Sequence, residues 1–335
     1  MPQRFAVIGL DHRHIYELTQ YTLDAGMECA GYWPTTTDTG VLEGFRKRFP
    51  DLPAVAERER LLDDPAINVI VSASVPRDRA ELAVAAMRRG KDVLIDKPGV
   101  TTAAQLAEVE RTVAETSCIF SVCFSERFQT PSTAMALKLV REGAIGRVVQ
   151  TVGLGPHRLN RALRPGWFFD SEAYGGILVD IASHQIDQFI VLTDSQRPQV
   201  AMSSIGSFAV GNAFQDFGEI VLHSECAAGY IRVDWFTPDG LPTWGDGRLT
   251  ILGTEGYIEL RKYVDIEGRP GTEHLFLADR KGTRYIGCEG QPLTYFRDFA
   301  HDVANRTETA MPQQHVFTVC RLALEAQAKA RRVPA

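Results

Sequence analysis

The chain has no basic block. Its 36 Lys and Arg are outnumbered by 42 Asp and Glu, for a formal net charge of -6. A polyanionic backbone finds no positive stripe here, so nucleic acid is not an expected partner. Cysteine is sparse: Cys29, Cys118, Cys123, Cys226, Cys288 and Cys320 form no C-x-x-C pair. That excludes a readable disulfide framework, and thiols in runs such as "CIFSVCF" are expected to stay reduced and act as small hydrophobes. No apolar run is long enough for a membrane span, and Phe5–Ile8, just before Gly9, is too short for a signal-peptide core. A cytoplasmic protein without membrane contact is expected. Disorder is excluded by 44% hydrophobic residues and only 23% charged, and there is no internal repeat or low-complexity tract.

What is present is a rhythm. Over residues 1–123 short β-branched runs ("FAVIG", "MECAGYW", "INVIVSAS", "DVLI", "CIFSVCF") alternate with helical patterns, which predicts a doubly wound parallel sheet. The runs are apolar on both faces, as a sheet between two helix layers requires, and Gly90 stands where a helix should stop. Over residues 124–335 the pattern becomes strand after strand, near 147–156, 199–208, 216–224, 228–236, 248–253, 256–260 and 273–279. This predicts an α+β domain with a mostly antiparallel open sheet, one helix near 176–193 and closing helices near 292–304 and 314–331. A cleft between two such domains is the default site for a small-molecule substrate.

The first strand ends in "GLDHRH". A Gly-x-Gly-x-x-Gly turn would bring backbone amides against a pyrophosphate, but only Gly9 is present, with Asp11 and His14 at the other glycine places. Asp11 directs negative charge towards a phosphate, while His12 and Arg13 offset it; a plain strand-to-helix turn is the alternative. The second strand runs into Trp33, Pro34 and Thr35-Thr36-Thr37, without the carboxylate that usually holds an adenosine ribose, so NAD and NADP both remain open. The fourth strand delivers Asp96 and Lys97, followed by Pro98, to the carboxyl edge of the sheet, where ligands of open α/β folds collect. Gly175-Gly176 then opens a helix with Asp180 and His184 four residues apart and Asp187 one turn on. A carboxylate-oriented imidazole suits proton transfer near neutral pH, and a surface ion pair is the rival reading. A metal at Asp180 and His184 would need further ligands, which no His or Cys cluster supplies, so no metal is expected.

Upstream of that helix lies "GPHRLNRALRPGWFFD", with His157, Arg158, Asn160, Arg161, Arg164 and Trp167. Guanidinium forks bind carboxylate or phosphate, and Trp167 or Trp235 can lie on a sugar face. These residues are the substrate-binding candidates beside Asp180 and His184, with a preference for an acidic polyhydroxylated substrate. Arginines directed at a partner subunit or solvent are the alternative.

Taken together, "IDKPG", "YGGILVDIASHQID", "REGAIGRV" at 141–148, "GWFFD" at 166–170 and "GTEGYIEL" at 253–260 resemble the glucose-fructose oxidoreductase / inositol dehydrogenase / MocA family of NAD(P)-dependent oxidoreductases. The resemblance spans nearly the whole chain. It implies a Rossmann-like dinucleotide domain over 1–123 and a substrate-binding and oligomerisation domain over 124–335. It also implies hydride transfer between nicotinamide and a carbinol carbon of a sugar, polyol or sugar acid. Lys97, Asp180 and His184 become the catalytic residues. Gly9, Asp11, His12, Arg13, His14, Trp33, Thr35, Ser74, Pro76, Asp96 and Lys97 become the cofactor side. A homodimer or homotetramer is the implied assembly. A non-catalytic sensor, or an enzyme using bound NAD transiently for elimination or epimerisation, are the alternatives. The sequence departs from the family in its first loop and in "VPRDRA" at 75–80, where Arg77 and Ala80 replace an expected Asn and His.

Overall fold

The computed structural model describes residues 2–211 and 214–334. The chain forms two compact units that interleave along it. One takes the chain up to Cys123 together with Pro165–Gly175 and Thr294–Arg321; the other takes Phe124–Arg164, Gly176–Leu293 and the chain from Leu322 onward.

In the first unit β1 (Arg4–Leu10), α1 (His14–Asp24), β2 (Glu28–Tyr32), α2 (Thr39–Arg48), α3 (Arg58–Asp63), β3 (Val69–Ala73), α4 (Arg79–Met87), β4 (Asp92–Asp96), α5 (Ala103–Thr116) and β5 (Phe120–Cys123) alternate as the sequence predicts. The five strands are all parallel, in the order β2-β1-β3-β4-β5. Every residue of β3, β4 and β5 is buried, the consequence of continuous apolar runs that must be covered on both faces. Gly90, at φ 74°, lets the chain leave α4, and its amide donates to the Met87 carbonyl at 2.8 Å.

After β5 come α6 (Ser125–Phe128), α7 (Pro131–Arg141), β6 (Val148–Pro156), α8 (Ser171–Tyr174), α9 (Ile177–Asp180) and α10 (Ser183–Thr193). Seven strands follow: β7 (Gln199–Gly206), β8 (Phe217–His223), β9 (Ala228–Asp234), β10 (Arg248–Gly253), β11 (Gly256–Arg261), β12 (His274–Asp279) and β13 (Gly282–Gly287). Then α11 (Tyr295–Asn305), α12 (Gln313–Lys329) and β14 (Arg331–Arg332) close the chain. The nine strands of the second sheet run in the order β13-β12-β11-β10-β6-β9-β8-β7-β14. Two pairs, β6 with β9 and β7 with β14, are parallel and the rest antiparallel. The outer strands β13 and β14 lie outside the sequence expectation, since "GTRYIG" and "RR" carry little apolar signal.

The inner face of this sheet is floored with glycine. A Cβ at Gly153 or Gly155 on β6 would lie 2.8 or 3.0 Å from the Gln185 side chain. One at Gly218 on β8 would meet Leu178 at 2.6 Å, and one at Gly229 on β9 would meet Phe189 at 2.8 Å. The missing side chains let α9 and α10 lie directly on the strands, and this contact places the residues of the Gly-Gly motif. Elsewhere the unit's core is aliphatic, with Ile145, Ile251, Ile258 and Leu275 packed under Ala136 of α7. All six cysteines are free thiols. Among the described residues no helix is long and apolar enough to cross a membrane.

Candidate active site

In the first unit the β1–α1 loop lies where the strand order reverses, the switch point at which open parallel sheets receive ligands. Gly9 is required there on two counts. Its φ is 92°, and an added Cβ would sit 2.6 Å from Ser74 Cβ and 2.7 Å from Ser72 Oγ. Asp11 does not point its charge at an incoming phosphate, as the sequence suggests. Its Oδ1 accepts from the Thr37 amide at 2.5 Å, from Thr37 Oγ1 at 2.7 Å and from Thr36 Oγ1 at 3.0 Å. The threonine run is therefore committed largely to neutralising Asp11. Arg13, exposed, occupies the N-cap of α1, whose start has no side-chain cap. The loop thus offers a dinucleotide pyrophosphate the exposed Arg13 cation, while the first amides of α1 are engaged within the loop, His14 to His12 Nδ1 and Ile15 and Tyr16 to the carbonyls of His12 and Arg13. Trp33 donates its amide to Val7 and has the Arg58 guanidinium 5.8 Å from its ring; Thr35 is exposed beside it. These are the residues that would hold the adenosine end.

Asp96, at the end of β4, is buried and surrounded. His14 Nδ1 lies 2.8 Å from its Oδ1, His12 Nδ1 3.5 Å from its Oδ2, and Arg79 Nη2 3.1 Å from its Oδ2. Burial alone would raise the Asp96 carboxyl, but His14 and the Arg79 guanidinium hold it well below the ordinary carboxylate range. Burial and the neighbouring His14 push His12 down to about 3, so its ring is neutral at physiological pH.

Arg79 is the residue the sequence reading missed. Only 1% exposed, it donates from Nε to the Ser74 carbonyl at 2.8 Å and from Nη1 to the carbonyls of Asp96 at 2.8 Å and Pro98 at 3.0 Å. The two peptide carbonyls on either side of Lys97 are thus tied to one guanidinium. Its only signal in the sequence was its place in "VPRDRA", the segment where Arg77 and Ala80 depart from the family pattern. Ser74 and Pro76 lie at this same turn, both buried, and Lys97 is buried close enough to His12 to affect its titration. Trp167, assigned from sequence to the second domain, falls in the first unit, with its ring 6.5 Å from His12.

In the second unit the expected single helix over 176–193 is broken. Ser183 Oγ donates to the Asp180 carbonyl at 3.3 Å, and the His184 amide turns back to the Ile181 carbonyl at 3.2 Å. In a continuous α-helix that amide would reach Asp180. The serine hydroxyl competes for the carbonyl at the junction of α9 and α10, where Ile181 and Ala182 keep helical φ and ψ, so the chain tightens by one turn between Asp180 and His184 without leaving the helical region. Both are buried, as is Asp187 at 0% exposure. Asp187 is held by Arg127 of α6, Nε to Oδ2 at 2.8 Å and Nη2 to Oδ1 at 2.7 Å. This buried bidentate pair, also missed from sequence, anchors α10 and leaves Asp187 a structural role.

Arg158 donates to the carbonyls of Pro238 and Leu241, and Arg164 to those of Leu159 and Arg158. The Arg164 guanidinium lies 5.1 Å from the Trp235 ring and 4.7 Å from the Trp244 ring, and His157 is edge-on to both tryptophans. Arg158, Arg164 and Trp235 therefore help fasten one loop to another within the unit, through backbone acceptors and cation-π stacking. Arg161 lies in an exposed 3₁₀ turn.

A family model described as "Oxidoreductase family, NAD-binding Rossmann fold" matches residues 4–124, and one described as "GFO/IDH/MocA C-terminal domain" matches residues 133–259. Levoglucosan dehydrogenase of Pseudarthrobacter phenanthrenivorans is 32% identical over 144 residues, 42% of this chain and 37% of that protein. Inositol 2-dehydrogenase 2 of Saccharopolyspora erythraea is 31% identical over 244 residues, 71% of this chain and 62% of that one. The chain thus matches less than two thirds of the length of these curated relatives. A crystal structure from Erwinia carotovora atroseptica SCRI1043, provisionally named an oxidoreductase, is 45% identical, with a TM-score of 0.95 over 99% of this chain and 100% of that one. With models of both its N-terminal and its C-terminal domain matched over residues 4–124 and 133–259, the chain belongs to the GFO/IDH/MocA oxidoreductase family.

Proposed function

We propose that this protein is an NAD(P)-dependent oxidoreductase that moves hydride between nicotinamide and a carbinol carbon of a neutral sugar or polyol. The observation that carries this reading is Lys97, set at the carboxyl edge of a parallel sheet between two carbonyls clamped by Arg79. The dinucleotide supplies, when bound, the ring that takes or gives the hydride. Lys97 stabilises the alkoxide that develops on the substrate oxygen, and His184 accepts the hydroxyl proton. Asp180 orients the proton acceptor.

A neutral substrate is preferred here to an acidic one because Arg158 and Arg164 already donate to backbone carbonyls. Relatives named for levoglucosan and inositol, both neutral polyhydroxylated rings, support the same choice. The test is a fluorescence titration with NADH and NADPH, followed by turnover on matched neutral sugars, polyols and uronic acids with product analysis. Cofactor binding with oxidation of the neutral members is expected. No binding of either dinucleotide at millimolar concentration would overturn the reading, and a consistent advantage for the uronic acids would overturn the neutral choice.

The same reading carries a homodimer or homotetramer. It is supported by large apolar side chains exposed on the second unit, including Leu252 and Tyr257, which are paired across β10 and β11. Sedimentation at micromolar concentration should show a species larger than the 37.1 kDa chain; a lone monomer would refute the assembly.

A further inference from the structure

The sequence offers no metal ligands around Asp180 and His184, but the fold assembles a different set in the first unit. His12 and His14 from the β1–α1 loop meet Asp96 from the end of β4. One donor atom from each of the three residues lies within 4.8 Å of the others. The two imidazole rings are edge-on, with centroids 4.2 Å apart. We propose that His12, His14 and Asp96 bind one transition-metal dication of the Zn²⁺ class, with a further coordination position open to solvent.

The donor chemistry selects the ion. Two imidazole nitrogens and one carboxylate oxygen are a common set for Zn²⁺, Ni²⁺ and Cu²⁺. Mg²⁺ and Ca²⁺ require several oxygen donors, and only one carboxylate is present. That carboxylate is already shared with the Arg79 guanidinium at 3.1 Å, and Lys97 is nearby, so the site has little negative charge to offer a hard cation. Binding must therefore come mainly from the imidazoles, which favours the borderline ions.

A carboxylate–imidazole hydrogen bond is the competing account of the cluster. It explains His14, whose Nδ1 is 2.8 Å from Asp96 Oδ1. It accounts less fully for His12, whose Nδ1 accepts from the His14 amide at 3.4 Å and lies 3.5 Å from Asp96 Oδ2, both at the long end of hydrogen-bond distance. A cation between these donors gives His12 Nδ1 and the carboxylate a shared partner. Arg79 donates to Asp96 Oδ2, the oxygen that also faces His12, and fixes the orientation of the carboxylate while Oδ1 faces His14, as supporting hydrogen bonds do at metal sites. The inference does not depend on the dehydrogenase reading, because it concerns binding alone.

The experiment uses the full chain, freed of metal by a chelator and titrated calorimetrically with Zn²⁺, Co²⁺ and Mg²⁺, in the parent and in His12→Gln, His14→Gln and the double variant. Saturable binding of one Zn²⁺ or Co²⁺ per chain is expected, with affinity falling by at least roughly 10- to 100-fold for each substitution, the loss that removing even a supporting partner of a ligand produces, and no matching response to Mg²⁺. Cu²⁺ electron paramagnetic resonance on the unaltered protein reads the ligands without mutation and should show coupling to two imidazole nitrogens. Parent-like Zn²⁺ affinity in the folded double variant would overturn the proposal. So would an absence of saturable binding, an equal response to Mg²⁺, or a Cu²⁺ spectrum without two-nitrogen coupling.

Discussion

Lys97→Ala is expected to lower turnover by about 10²- to 10³-fold, the usual loss when a donor to a developing oxyanion is removed, while leaving the fold intact. Arg79, whose bonds go to the carbonyls of residues 96 and 98, keeps holding the turn after the change. The loss should fall on kcat more than on dinucleotide affinity, because the cation acts on charge that appears during the reaction. The measurement is steady-state turnover on the substrate that the panel identifies, with NADH affinity and melting temperature as controls. Near-parent kcat would remove Lys97 from the chemistry.

Arg79→Met should be the most damaging single substitution in the first unit. It leaves the buried Asp96 carboxylate without its guanidinium and removes a donor from the carbonyls of Ser74, Asp96 and Pro98. Breaking one side of a buried ion pair costs about 3–5 kcal/mol. The sign of the pH dependence follows from Asp96, whose folded-state carboxyl is held below its ordinary range. Such a group contributes stability above its unfolded pKa and loses it as pH falls through the folded value. The gap between parent and variant should therefore be full at neutral pH and shrink on acidification, as protonation removes the charge that the guanidinium balanced. Denaturant unfolding of both proteins across that range checks it. A variant as stable as the parent at neutral pH would show that the guanidinium contributes nothing net.

The sequence alone determined the elements whose causes are local. Continuous β-branched runs such as "VIVSA" and "DVLI" demand cover on both faces, so the parallel sheet of β1 to β5 was legible from composition and rhythm. Gly9 and Gly90 marked real turns because a positive φ leaves a residue-type signature. "DKPG" placed Lys97 at a strand end for the same short-range reason. Tertiary structure decided everything that depends on a distant partner. The Arg127–Asp187 pair spans 60 residues and the His14–Asp96 contact 82, and no sequence window holds both ends. Arg158 and Arg164 read as anion binders because a guanidinium's partner is chosen by whatever the chain brings near, here backbone carbonyls of neighbouring loops. The tightened turn between Asp180 and His184 rests on one serine hydroxyl competing for one carbonyl, a contest that hydrophobic periodicity does not register. Hydrophobic pattern and backbone turns are written along the chain, whereas the pairing of charged and polar groups is written in space and exists only once the chain has folded.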